Sequence, residues 1–247
     1  MRPLENQVVV ITGAARGIGL AVAERLAGDG ATVILTDLLR ESDYQAVLPA
    51  IRRLSPASRF LPMDVRSEAS VEVVVASLEC VDVLVNCAGI TRRGPAESYA
   101  MSDWEEVLAV NLTGAFRCCQ LFGQGMLTRG QGSIVNVASV NGIVVREGAI
   151  GYGVSKAALI HLTRSLALEW AGRGVRVNAV APSVVETAMT ADLFARPEYL
   201  PAKLAKIPLG RPMDKDDVAE AIRFLAGPQS KNITGHVLVI DGGYSLT

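Results

Sequence analysis

Four side chains stand at spacings that suit acid–base chemistry at a carbon–oxygen bond. Tyr152 and Lys156 are four residues apart where an apolar helical pattern begins, so both project from one helix face. Ser139 ends a β-branched run 13 residues earlier, and Asn111 lies within the long helical pattern before that run. Reducing a carbonyl, or oxidising an alcohol, needs a proton partner as well as a hydride partner. A tyrosine that titrates near about 10 is a poor base at neutral pH, but an adjacent ammonium favours its phenolate. Tyr-x-x-x-Lys alone also marks many ordinary solvated helix faces, so the pair takes its meaning from what accompanies it.

What accompanies it is a nucleotide-binding pattern. Thr12-Gly13-Ala14-Ala15-Arg16-Gly17-Ile18-Gly19 follows the apolar run Val8–Thr12 and opens a helical pattern at Leu20. Three glycines in a strand-to-helix turn let the backbone pass close to a pyrophosphate, and the helix aims its free N–H groups and positive end at that charge. The bland reading is a tight turn that happens to be glycine-rich; the flanking strand and helix argue against it. Asp37 closes the second strand 18 residues beyond Gly19. A carboxylate there accepts from the ribose hydroxyls and repels a 2′-phosphate, which favours NAD over NADP. Arg16 and Arg40 are contrary hints, since a nearby cation tolerates the phosphate. Asp64-Val65 and Asn86-Cys87-Ala88-Gly89 follow the third and fourth strands, at the strand ends where open parallel sheets bind ligands. A nicotinamide held there would add a second positive charge favouring the Tyr152 phenolate.

The elements that must position these groups are legible as seven short apolar runs: Val8–Thr12, Thr32–Thr36, Phe60–Met63, Val81–Val85, Ser133–Val137, Val175–Val180 and Val237–Ile240. Most are continuous and not alternating, as strands covered on both faces require. Helical patterns separate them at about Gly17–Gly28, Arg40–Leu54, Ser67–Leu78, Ser102–Arg129, Ile150–Gly172 and Asp214–Ala226, with Asp214 a candidate N-cap. The alternation predicts an α/β fold: one Rossmann-type doubly wound domain over 1–247, seven mostly parallel strands with helices on both faces. A lid-like excursion is expected at about 189–212, where Pro197, Pro201 and Pro208 surround the helical pattern of Tyr199–Lys206.

Composition narrows the partners. With 24 basic against 25 acidic residues in 247, the net charge of −1 gives no electrostatic reason to expect nucleic acid or an anionic membrane. No run of 18 apolar residues occurs and the first residues lack a signal-peptide pattern, so a soluble, cytoplasmic protein is expected. Cys80, Cys87, Cys118 and Cys119 read as buried thiols in a reducing compartment, and two histidines offer little from which to build a metal site.

Together these motifs resemble the short-chain dehydrogenase/reductase family. The resemblance is carried by Thr12 through Gly19, Asp64, Asn86 through Gly89, Asn111, Ser139, Tyr152-Gly-Val-Ser-Lys156, Arg176-Val-Asn178, Pro182 through Thr187, Ile233-Thr-Gly235 and Asp241-Gly-Gly243, in order along nearly the whole chain. It implies Tyr152 as general acid/base, Lys156 lowering its pKa while holding the nicotinamide ribose, Ser139 polarising the substrate oxygen, and Asn111 anchoring a water that relays protons to solvent. It places Gly13, Arg16, Gly17, Ile18 and Gly19 at the diphosphate and ribose, Asp64 and Val65 at the adenine, and Asn86, Ala88 and Gly89 along the ribose. Pro182, Val185 and Thr187 fall near the nicotinamide. This chain departs from the family pattern at Cys87, where asparagine is usual, at Ser183, where glycine usually follows the proline, and in the short link Leu78-Glu79-Cys80.

The substrate side is less specific. Asn141, Arg146 and Glu147 could serve a polyhydroxylated ligand through paired hydrogen bonds, or could be solvated loop residues. Within the family the chain is similar to sugar and polyol dehydrogenases. The alternative is a 3-oxoacyl-carrier-protein reductase using NADP, with Arg129 and Arg173 as a carrier-docking patch. A non-catalytic NAD-binding regulator, and a dehydratase or epimerase on the same scaffold, are further alternatives. The helix at 150–171 is apolar around most of its circumference, which predicts a homo-oligomer; the resemblance implies a homotetramer.

Overall fold

The computed structural model describes residues 2–38 and 44–247. Arg40, and the start of the helix expected at Arg40–Leu54, lie outside the described residues. Seven strands form one sheet: β1 (Val8–Thr12), β2 (Thr32–Asp37), β3 (Arg59–Pro62), β4 (Val83–Asn86), β5 (Gly132–Val137), β6 (Val175–Pro182) and β7 (Val237–Ile240). Their order across the sheet is β3-β2-β1-β4-β5-β6-β7. All six pairings are parallel, so the sheet is wholly and not mostly parallel.

Successive side chains along a strand point to opposite faces, and the core divides accordingly. Val9, Ile11, Val33, Leu35, Val83 and Val85 join one cluster, under α1 (Gly17–Gly28) and the last long helix. Val10, Ile34, Leu84 and Ile134 join the other. That second face is covered by α3 (Glu68–Ala76), which follows α2 (Leu48–Leu54), and by α5 (Ala115–Arg129) and α6 (Ile150–Trp170). Burial on both faces is why the strand sequences are continuous apolar runs.

The helix expected as one piece over Ser102–Arg129 is interrupted. α4 (Met101–Leu108) runs into a π-helical turn, Ala109–Gly114, before α5 begins. The excursion between β6 and the final helix carries two short helices, α7 (Ala191–Phe194) and α8 (Tyr199–Leu204), tied down through buried Leu193 and Ile207. Asp214 caps α9 (Lys215–Ala226) in a reciprocal capping box with Asp217.

The strand order reverses direction between β1 and β4, which opens a crevice at their carboxyl ends. Both chemistry-bearing turns, after β1 and after β4, empty into it.

Candidate active site

The crevice is a cleft of about 580 Å³ bordered by the glycine turn, the ends of β2, β3 and β4, the first turn of α6 and the segment after β6. Gly13, Arg16, Gly17, Ile18, Gly19, Asp37, Asp64, Val65, Ala88, Gly89, Pro182, Val185 and Thr187 all line it, with Tyr152 and Lys156. The turn after β4 is held against β1 by one side chain: Thr12 Oγ1 accepts from the N–H groups of both Cys87 and Ala88 at 3.0 Å. The two backbones approach so closely that a Cβ on Gly13 would lie 2.8 Å from Ala88 Cα, at a φ of +66° that also favours glycine. Only a bare backbone fits. These are the properties a cradle for a dinucleotide pyrophosphate requires, and the residues present fit that group.

Asp37 is fixed by its neighbours. Its carboxylate accepts from Ala15 N–H at 3.2 Å and from Leu38 N–H at 2.8 Å, which ties the end of β2 to the glycine turn. Arg16 is exposed at the rim of the same cleft. Asp64 forms a bidentate pair with Arg66, Nη2 to Oδ2 at 2.9 Å and Nε to Oδ1 at 3.0 Å, and this guanidinium holds the carboxyl below its usual range.

Tyr152 and Lys156 lie in the first turns of α6. The Val140–Gly142 turn after β5 packs so tightly on that helix that a Cβ on Gly142 would sit 2.7 Å from the Lys156 carbonyl carbon. The contact sets Ser139, which caps the turn by accepting from Asn141 N–H at 3.1 Å, beside Tyr152. Lys156 is 4% exposed; its Nζ donates to Val137 O at 2.7 Å and stands 5.6 Å from the Tyr152 ring centre.

Burial dominates the electrostatics of the pair. It pushes the Tyr152 phenol up, more than the facing Ser139 hydroxyl pulls it down. It also pushes the Lys156 ammonium down to about 8. Cys87, facing the cleft, is pushed up to about 12 by burial, which leaves it an unreactive thiol. Cys80 and Cys87 are half-buried, whereas Cys118 and Cys119 are buried as expected.

Two predicted residues do not face the cleft. Asn86 is turned under the sheet, where Nδ2 donates to Asn136 Oδ1 at 2.9 Å; it supports the turn from below and does not line the ribose side. Asn111, 1% exposed within the π turn, spends its amide on structure. Its Oδ1 accepts from Ile90 N–H at 2.8 Å, and its Nδ2 donates to Ile90 O at 2.9 Å and to Ser155 Oγ at 3.0 Å. Both amide protons are used and Oδ1 accepts one bond of the two it can, so this side chain could hold a water only by accepting from it.

A second, smaller pocket shares Ser139, Tyr152 and Ser183 with the cleft and extends under α7 and α8. Asn141 and Arg146 line it; Glu147 is exposed and does not. Ser183 and Lys203 line it too; Lys203 belongs to the Met189–Pro208 excursion expected to border the substrate, though no spacing singles it out there. No helix among the described residues is long and apolar enough to cross a membrane, and among them no cluster could hold a metal ion.

A strand-end dinucleotide cradle joined to a Ser–Tyr–Lys constellation defines an NAD(P)-dependent oxidoreductase acting on CH–OH groups, and the comparisons with known proteins agree. A family model described as enoyl-(acyl carrier protein) reductase matches residues 13–245. Galactitol 2-dehydrogenase (L-tagatose-forming) of Cereibacter sphaeroides is 40% identical, over 98% of this chain and 96% of that protein. The 3-oxoacyl-(acyl-carrier-protein) reductase of Thermotoga maritima is 42% identical, over 97% of this chain and 98% of that one. A crystal structure of a gluconate 5-dehydrogenase from Burkholderia cenocepacia, in complex with NADP and tartrate, superposes with a TM-score of 0.94 at 31% identity, covering 99% of this chain and 97% of that chain. The chain belongs to the short-chain dehydrogenase/reductase family, and it interconverts secondary alcohols and ketones.

Proposed function

We propose that the substrate is a sugar, polyol or related small hydroxy compound, oxidised or formed with NAD in preference to NADP. The observation that carries the reading is that Ser139 and Tyr152 border both the cofactor cleft and the small polar pocket, so one oxygen can meet both hydroxyls while its carbon faces the cleft. When bound, the nicotinamide cofactor takes or gives the hydride. Tyr152 takes the hydroxyl proton in oxidation and returns it in reduction. Ser139 holds the same oxygen by hydrogen bonding. Lys156, pinned to Val137 O, supplies the positive charge that offsets the cost of the buried phenolate.

NAD preference rests on Asp37, whose locked carboxylate faces the cleft where a 2′-phosphate would add like charge. The NADP of the gluconate 5-dehydrogenase neighbour makes this the sharper part of the proposal. The carrier-protein reductase reading has the Thermotoga relative behind it, but Arg129 is already engaged with Val81 O and lies 3.8 Å from Asp82, so it is not a free docking cation. A non-catalytic regulator is disfavoured by the retained Ser139, Tyr152 and Lys156. A homotetramer is supported by an exposed stripe on α6, Ile150, Val154, Ala157, His161, Arg164 and Leu168, whose alternating four- and three-residue steps form a continuous seam. We place the enzyme in the cytoplasm, its domain spanning 1–247 and segment 189–212 acting as a lid.

The Tyr152→Phe variant tests the core of this. It keeps the ring and removes the proton partner, so turnover of the preferred polyol falls by about 10²–10⁴ while NADH binding, read by its fluorescence, persists. Turnover within a few-fold of wild type would overturn the assignment.

A further inference from the structure

The pocket beside Ser139 and Tyr152 has an unbalanced charge. Its lining includes Arg93, Arg146 and Lys203 and no carboxylate. Arg93 is paired with Asp192 at 2.6 Å. The other two cations form no ion pair among the described residues. Their contacts are aromatic faces: Lys203 Nζ lies 3.2 Å from the Tyr244 ring centre, and the Arg146 guanidinium 5.6 Å from that of Tyr199. Lys203 is 8% exposed, so much of its side chain is out of water, and its ammonium faces the Tyr244 ring in place of an anion. Burial pushes it down from its ordinary range, Tyr244 opposes that push, and the Arg146 and Lys206 charges add to it. In the same pocket Ser183 Oγ is buried and has no hydrogen-bond partner. A largely buried ammonium, a guanidinium with no carboxylate partner and an unused buried hydroxyl together form the complement of an anion, and the two buried groups are costly until an anion meets them.

We propose that the substrate of this enzyme carries an anionic head, a carboxylate or phosphate ester, which Lys203 and Arg146 bind while Ser139 and Tyr152 hold the reacting hydroxyl. The inference rests on the polyol reading above and narrows it from neutral alditols to aldonates or polyol phosphates. A pocket of about 80 Å³ suits the smaller of the two anions, the carboxylate. Lys203 comes from α8 in the excursion, so the residue that reads the charge sits on the segment placed to close over the substrate.

The test compares alcohols that differ only in the head: threitol with threonate, galactitol with galactonate, glucitol with gluconate and with glucitol 6-phosphate. Two measurements are made on the wild-type enzyme and on Lys203→Met, Lys203→Arg and Arg146→Gln. One is kcat/KM with NAD; the other is binding of each compound to the non-reactive NADH complex, read by NADH fluorescence. In the wild type, at least one anionic compound is preferred over its neutral partner by about 10- to 100-fold. That ratio collapses toward one in Lys203→Met, falls in Arg146→Gln and is largely restored in Lys203→Arg. Which anion shows the larger ratio distinguishes carboxylate from phosphate. A wild type that prefers the neutral partners, or a ratio untouched by both charge-removing variants, overturns the inference while leaving the polyol reading standing. Anion binding to the NADH complex without turnover of any compound overturns the polyol reading and leaves the anion site standing. Neither binding nor turnover of any anion refutes the inference outright.

Discussion

Replacing Lys156 by methionine should make the cofactor-free protein more stable while abolishing its activity. Lys156 is 4% exposed and its ammonium is pushed from about 10.5 down to about 8 by burial. A tenfold loss of proton affinity is worth about 1.4 kcal/mol, so holding this ammonium charged costs the folded state roughly 3 kcal/mol at neutral pH. Methionine keeps a flexible stem of similar length and removes the charge, but it leaves Val137 O without the donor it has at 2.7 Å, a loss of about 1–2 kcal/mol. The net gain is about 1–2 kcal/mol, or roughly 2–8 °C in Tm for a chain of this size. The pH dependence carries the sharper sign. Below about 8 both folded and unfolded chains hold the proton, and the wild type bears the full cost. Between about 8 and 10.5 the folded state sheds its proton while the unfolded chain keeps it, so wild-type stability gains on the variant as pH rises through this window. Differential scanning calorimetry of both proteins without cofactor, at pH 7 and near pH 10, reads the difference. A variant less stable than wild type at pH 7, with the same gap at pH 10, would refute the reasoning.

Two further outcomes follow from the geometry. Asp37→Ser retains an acceptor for Ala15 N–H but removes the charge, so the NAD-over-NADP ratio of kcat/KM falls by about 10- to 100-fold; a wild type that already favours NADPH sinks the reading of Asp37. Leu168, 85% exposed in the α6 seam, becomes an unpaired carboxylate at any interface in Leu168→Glu. Sedimentation velocity then shows smaller species than wild type, whereas a wild type that is monomeric at micromolar concentration removes the case for assembly.

Elements whose signal is local were legible, and those decided by distant contacts were not. Val8–Thr12 matches its strand to the residue because both its faces are covered, and Val237–Ile240 matches its strand too, as an apolar run at the half-buried edge of the sheet. The π turn at Ala109–Gly114 has no such signal: its residues suit an ordinary helix, and Asn111 is drawn inward by Ile90, 21 residues earlier, and Ser155, 44 residues later. The glycine turn declared itself through spacing, while the role of Thr12 in clamping the turn after β4 is set across 75 residues. Tyr152 and Lys156 stand together as their spacing implies, but spacing says nothing of how much water is excluded, and that exclusion is what raises the phenol and lowers the ammonium. Lys203 is not singled out by spacing for a similar reason: it meets Tyr244 of the C-terminal turn, 41 residues on.

Several unfavourable features of this fold lie where ligands enter. Away from the crevice, buried polar groups such as Asn136, Thr163 and Asn178 have their partners. Around it lie a desolvated Lys156, a largely buried Lys203 and the unpartnered Ser183 hydroxyl. Those at the carboxyl ends of β5 and β6, and on the segment that crosses over them, lie where a bound ligand could supply a partner, whereas the buried Gln7 Oε1 and Asn86 Oδ1, also without a partner, do not line the crevice. On the reading proposed above, a ligand there supplies negative charge to Lys203 and exchanges a proton with Tyr152, and a hydroxy acid bound against a dinucleotide would do both at once.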